Sequence, residues 1–286
     1  MRAENDTAVA VESCDIRVLG PMSARLGGTS IVPTANKPRQ LLALMALNAD
    51  RLLTASTLMD EIWSDADAPR SALPTLHTYI LQLRRLMTKA LGPDATCAAK
   101  DILVTKPGGY LLSVSPDSVD VTAYQKLLTS ARSAAARGDA VAAARAYDAA
   151  LGLWRGPALA DVQPGAVLSP ELARLEESRL GVVEERIDAW LRLGCHSQLL
   201  DELASLTRRH PLNENLHAQF MTALYRAGRQ SRAMETFQSL RRRLVEALGV
   251  EPSRRVRTLY QAMLSADPEL DVLPADDRTR LAFAAA

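Results

Sequence analysis

With 286 residues, the chain is long enough for two domains with separate cores, and its 48% hydrophobic and 23% charged residues are those of an ordinary globular protein. A formal net charge of only +1 says nothing in bulk about a nucleic-acid partner. No apolar run approaches the ~20 residues of a membrane span, no cationic leader with an apolar core opens the chain, and Cys14, Cys97 and Cys195 stand far apart. A cytoplasmic protein with reduced, buried thiols and no membrane contact is expected.

Residues 1–14 are small and polar and are expected to be disordered. Asp15–Leu19 and Ser30–Pro33 read as short strands, with Gly27-Gly28 turning the chain between Leu26 and Thr29. Pro38–Leu47 reads as a first helix with Leu41, Leu42, Leu44 and Met45 available to the core. Thr54 is placed to N-cap a second helix, Ala55–Trp63, that buries Leu58, Ile62 and Trp63; a loop follows over Asp65–Pro69.

The third helix, Thr75–Lys89, carries the strongest pattern. Leu76, Ile80, Leu83, Met87 and Ala90 fall on one side, and Thr78, Gln82, Arg85 and Lys89 on the other. Pro74 suits its first position, where the missing N–H has no intrahelical acceptor. Hydroxyls, an amide and cations on one face are the groups that read base edges and hold phosphates. Ile102–Leu112 then gives two β-prone runs around Pro107-Gly108-Gly109, a hairpin signal. Helices followed by a hairpin make a winged helix-turn-helix. From Arg70 to Lys106 there are six Lys or Arg against two Asp. The candidate DNA contacts are Thr75, His77, Thr78, Gln82, Arg84, Arg85 and Lys89 on the helix, Lys106 at the wing tip, and Lys37 and Arg39 upstream. Leu81, near that face, is its one apolar member and suits a thymine methyl.

Few apolar residues lie around Ser113–Asp120, which therefore reads as a linker, and a fragment ending near Ser118 is expected to fold and keep some DNA binding. From about Val119 the chain is Ala-rich and helical. Helices are expected over Tyr124–Arg137, Ala140–Leu153, Pro170–Leu193, Gln198–Arg209, Leu216–Ala227 and Ser231–Leu248. Gly194 and Gly228 stand 34 residues apart, each between two helices, which is the tetratricopeptide period; Gly138 fits the same role one unit earlier with 22 extra residues inserted. The domains expected are thus a disordered 1–14, a winged-helix DNA-binding domain over 15–118, a helical-repeat domain over 119–265, and a flexible acidic then Ala-rich tail over 266–286. The fold class is mainly α with a small β component.

Chemistry is sparse. His77, His196, His210 and His217 are scattered without cysteine or carboxylate at ligand spacing, so no metal is expected. No Gly-x-Ser-x-Gly elbow and no Gly-x-x-x-x-Gly-Lys-Ser/Thr phosphate loop occurs, so neither an enzyme nor a cofactor is expected. Glu176-Glu177 and Glu184-Glu185 read as solvent-facing helix charge. Trp154 is either a core anchor closing the turn at Gly156-Pro157 or, with Arg155, a partner contact. From Arg226 to Arg257 nine Arg stand against three Glu, a solvated face or a second patch for phosphate or polymerase.

NKPRQLLALMAL, TASTLMDEIW, TLHTYILQLRRLM and LVTKPGGYLL, in that order behind a short strand, resemble the effector domain of response regulators. Followed by AAARAYDAALGLWRGPALADV in a helical domain, they resemble the Streptomyces antibiotic regulatory protein family, with a bacterial transcriptional activation domain as second part. The resemblance covers about residues 15–265. It implies an activator of secondary-metabolite gene clusters that binds direct repeats in double-stranded DNA near the promoter, self-associates there and recruits RNA polymerase. No receiver domain is present, so control by abundance or by an unknown signal is expected; the Leu281–Ala286 end weakly resembles bacterial degradation tags. The competing reading is a helical-repeat adaptor whose winged helix docks protein, for which an apolar patch in place of Thr78, Gln82, Arg85 and Lys89 would be expected.

Overall fold

A computed structural model of the chain describes residues 14–63, 71–93, 95 and 97–271. These form two compact units, one within residues 14–127 and 150–179, the other within 128–149 and 180–271. Neither unit ends at Ser118, and the first takes in residues 150–179 as well.

The first unit opens on an antiparallel sheet of β1 (Cys14–Arg17), β2 (Ser23–Leu26) and β3 (Thr29–Ser30), in that order. Gly27 and Gly28 both hold positive φ, +55° and +80°, the conformation that a two-residue hairpin needs at both central positions. The turn lies where the sequence puts it, but it joins β2 to β3. The run Ser30–Pro33 is not a strand beyond its first residue, although Ile31 still donates to the Ala24 carbonyl and is buried.

Three helices follow: α1 (Asn36–Leu47), α2 (Ala55–Ile62) and α3 (Ala72–Leu91). The Thr54 hydroxyl accepts from the Thr57 N–H, so α2 is capped by the residue expected. Helix α3 begins two residues earlier than the Pro74 rule predicts, with Pro74 third in the helix. Its ring is tolerated because every N–H of the first turn lacks an intrahelical acceptor. A second sheet, ordered β4 (Leu52–Thr54), β6 (Gly109–Leu112), β5 (Leu103–Lys106), is reached through the one-turn helix α4 (Ala99–Ile102). Pro107 and Gly108 form its hairpin turn, Gly108 at φ +80°. Gly109 can be nothing larger, since a Cβ there would sit 2.0 Å from the Leu53 carbonyl oxygen on the neighbouring strand.

The expected linker is packed. Val114 and Val119 are buried, Ile16 bridges Val119, and Asp120 accepts hydrogen bonds from the Val18 and Leu19 N–H groups at 2.8 and 3.1 Å. Hydrophobic sparseness misled here because one carboxylate and two buried valines do the tying. Burial pushes the Asp120 carboxyl above the ordinary aspartate range, opposed by those two N–H groups and by Arg155.

Beyond it run α5 (Asp120–Ala136), α6 (Ala140–Gly152), α7 (Leu168–Arg192), α8 (Leu200–Arg209), α9 (Glu214–Arg226), α10 (Gln230–Leu248) and α11 (Arg254–Leu264). The second unit repeats one device. After Gly138, Gly194 and Gly228, each at positive φ, the next residue's N–H reaches back across the turn: Asp139 to Ala134, Cys195 to Trp190, Arg229 to Leu224. That six-to-one bond is the Schellman closure, and it gives the 34-residue spacing a structural meaning. Of the two glutamate pairs, Glu177 is exposed as expected, but the other three glutamates are bonded within the fold. Glu184 accepts from Asn213 and Asn215 at 2.7 Å each, Glu185 pairs with Arg132, and Glu176 accepts from the Ala158 N–H. Helix α11, with only Val256 and Met263 buried, is an element the sequence reading did not anticipate.

Most of the expected tail, residues 272–286, and the loop from Asp65 to Pro69 lie outside the described residues, as do residues 1–13. Of the tail's described part, Pro268–Leu270 is a 3-10 turn whose Leu270 carbonyl accepts from Arg226.

Candidate nucleic-acid interface

Helix α3 is built as two faces. Leu76, Ile80, Leu83 and Met87 are each at most 1% exposed, and their burial fixes the helix's rotation. His77, Thr78, Leu81, Gln82, Arg85, Thr88 and Lys89 then form one continuous exposed stripe. No acidic residue occurs anywhere in α3. Gln82, Arg85 and Lys89 have no hydrogen-bond or ion-pair partner among the described residues, and neither has Lys106, which is exposed at the end of β5 beside the hairpin turn. Their donors face water. Thr78 gives its hydroxyl proton to the Pro74 carbonyl at 3.1 Å, which leaves the oxygen free to accept.

The other candidate residues have partners within the unit. Thr75 is half-buried and donates to the Ser71 carbonyl at 2.9 Å. Arg84 donates to the Leu103 carbonyl and the Thr105 hydroxyl, and His77 packs edge-on against Tyr110 with ring centroids 6.4 Å apart. Lys37 donates to the Ile62 carbonyl at 2.9 Å and lies 5.0 Å over the Trp63 ring. Arg39 donates to the carbonyls of Pro33 and Asp161 and pairs with the Asp161 carboxylate. Trp154 is a core residue, 8% exposed, edge-on to Tyr124 and covered by the Arg179 guanidinium at 4.7 Å. Arg155 donates its backbone N–H to the Leu19 carbonyl. Cationic character alone did not distinguish these residues from the free ones, because a cation can serve a neighbouring carbonyl as well as a phosphate.

One functional support was missed. The Glu61 side chain is fully buried, and its carboxylate accepts from Gln40 Nε2 at 2.8 Å and from the N–H groups of Gly165, Val167 and Leu168 at 2.7, 3.0 and 2.7 Å. It thereby caps the first turn of α7, where the helix dipole favours a negative charge. A Cβ on Gly165 would lie 1.8 Å from the Glu61 carbonyl oxygen, so the turn Pro164-Gly165 is shaped to this approach. Spacing did hold a signal: Glu61 shares the inward face of α2 with Leu58 and Ile62, three residues after the first. Asp161 adds a further tie by accepting from the Met22 N–H at 2.6 Å. Helices α1 and α2, against which α3 packs, are thus held by residues from beyond the winged helix.

Known proteins match both parts of this architecture. The family described as transcriptional regulatory protein, C terminal, matches residues 28–112, and the bacterial transcriptional activator domain matches residues 119–264. The regulatory protein DnrI of Streptomyces peucetius is 52% identical over 256 residues, covering 90% of this chain and 94% of that protein. The chain belongs to the Streptomyces antibiotic regulatory protein family of transcriptional activators. The family is one of DNA-binding regulators, and not of enzymes. The larger regulatory protein AfsR of Streptomyces griseus is 39% identical over 260 residues, 91% of this chain but 25% of AfsR. In three dimensions the chain is similar to Mycobacterium tuberculosis EmbR, solved in complex with a low-affinity phosphopeptide, at TM-score 0.81 and 29% identity over 96% of this chain and 69% of that one.

Among the described residues, no group of three or more His, Cys, Asp or Glu is placed to hold a metal ion, and no helix is long and apolar enough to cross a membrane. Cys14, Cys97 and Cys195 are buried and take part in no disulfide.

Proposed function

We propose that this protein is a sequence-specific activator of a secondary-metabolite gene cluster, acting in the cytoplasm, that reads direct repeats near a promoter and recruits RNA polymerase there. The exposed stripe of α3 carries the reading. Gln82, Arg85 and Lys89 offer an amide and two cations with no partner among the described residues, on a helix without a carboxylate, and Lys106 stands free on the adjoining hairpin. Arg85 and Gln82 suit base edges in the major groove; Lys89 and Lys106 suit the backbone. Leu81, 52% exposed within the stripe, is the feature that favours the adaptor reading, in which the same face docks protein. One leucine among six hydrogen-bonding residues fits a thymine methyl better than it fits an apolar docking surface.

Recruitment is assigned to the helical residues 119–265, and site reading to the winged helix within 15–118. Gel shifts and footprinting on promoter fragments from the gene cluster adjoining its own gene test the first role. Protection of a direct repeat is the expected result, and equal affinity for unrelated duplexes would favour the adaptor. Two copies side by side need centres about 10–10.5 base pairs apart, or a multiple of that. Inserting about five base pairs between half-sites should abolish cooperative binding by turning one site to the opposite side of the DNA. Transcription with purified polymerase tests the second role.

A further inference from the structure

Two ties run from α3 to the wing, and they converge on one cross-strand pair. In the β5–β6 register Thr105 stands opposite Tyr110, and Lys106 opposite Gly109. Arg84 donates from Nε and Nη2 to the Leu103 carbonyl at 3.0 and 2.6 Å, and from Nη2 to the Thr105 hydroxyl at 2.8 Å. Two helical turns earlier on the same side, His77 meets the Tyr110 ring at an interplanar angle of 72°. β5 is an edge strand of its sheet. The chain next to Thr105 is Lys106, the free cation of the wing.

We propose that Arg84, with His77 beside it, is a positioning residue that holds the wing at a fixed place against α3. Lys106 then meets the phosphate backbone while Gln82 and Arg85 meet base edges. The proposal rests on the DNA-binding reading above, and it assigns Arg84 to the wing instead of to DNA. A planar fork gripping a carbonyl and a hydroxyl fixes both distance and angle, which an ammonium on a flexible stem does not.

The test measures fluorescence anisotropy on the footprinted promoter fragment and on a scrambled duplex of equal length, through a salt series. The proteins are the parent, Arg84→Ala, Arg84→Lys, Lys106→Ala, Arg85→Ala, and Lys106→Ala combined with each Arg84 variant. With the wing released, Lys106 no longer reaches its phosphate. Lys106→Ala should therefore weaken the parent about fivefold but either Arg84 variant less than about twofold, the non-additivity of directly coupled sites. The salt slope should fall by about 0.9 in Lys106→Ala and in each Arg84 variant, and by no more in the combinations. The ratio of cognate to scrambled affinity should stay within about twofold in Arg84→Ala and drop in Arg85→Ala. Arg84→Lys, which keeps the charge, should behave like Arg84→Ala, and it supplies the same readout where Arg84→Ala does not fold.

An undiminished Lys106→Ala effect in the Arg84 backgrounds, or full rescue by Arg84→Lys, would overturn the proposal and return Arg84 to direct phosphate contact. Parent-like binding by both Arg85→Ala and Lys106→Ala would instead overturn the DNA-binding reading, and the proposal with it.

Discussion

The outward stripe of α3 and the carboxylate ties of the same unit use polar groups in opposite ways. Gln82, Arg85 and Lys89 stand exposed without a partner among the described residues, while Glu61, Asp120 and Asp161 are each bonded to backbone N–H groups. Water satisfies the first set at no cost to the fold, so those groups are available to a ligand. The second set cannot be removed without leaving donors unpaired. Charge on this molecule therefore marks function only where the surrounding protein leaves it unused.

Removing all the ties at once should give the largest effect. A chain ending at Ser118 keeps Glu61 but loses the N–H groups of Gly165, Val167 and Leu168, and it strips Val18 and Leu19 of Asp120. Such a fragment should show no cooperative thermal transition by circular dichroism, the reverse of what the sparse junction around Ser113–Asp120 leads one to expect. A sharp transition would break the comparison. Glu61→Ala in the full chain should cost about 3 kcal/mol or more in urea unfolding, since buried unpaired donors cost about 1–3 kcal/mol each. Gly165→Ala, with its Cβ directed at the Glu61 carbonyl, should cost about 1–3 kcal/mol. At the small end, Arg85→Ala should leave stability within about 0.5 kcal/mol, as surface substitutions do.

Legibility in the sequence followed the same division. The four buried positions of α3 recur at helical spacing, so both its faces were readable, as were the Thr54 cap and the glycines that close helices at one period. Strands β2 and β4, four and three residues long, carry too few side chains for alternation to show. Helix α11 buries only Val256 and Met263 behind an arginine-rich surface, which hides its period. Arg84, Lys37 and Arg39 look like Arg85 in the sequence; only coordinates reveal which cation already has a carbonyl to serve. The role of Asp120 depends on N–H groups a hundred residues away, beyond any local pattern.

The central claim is that the α3 stripe reads sequence, and the ratio of affinities for the footprinted site and a scrambled duplex tests it most directly. Arg85→Ala should lower cognate affinity by about 1–3 kcal/mol while scrambled binding changes little, so that the ratio falls by about 5- to 150-fold with an unchanged melting temperature. A ratio identical to that of the parent would contradict the account.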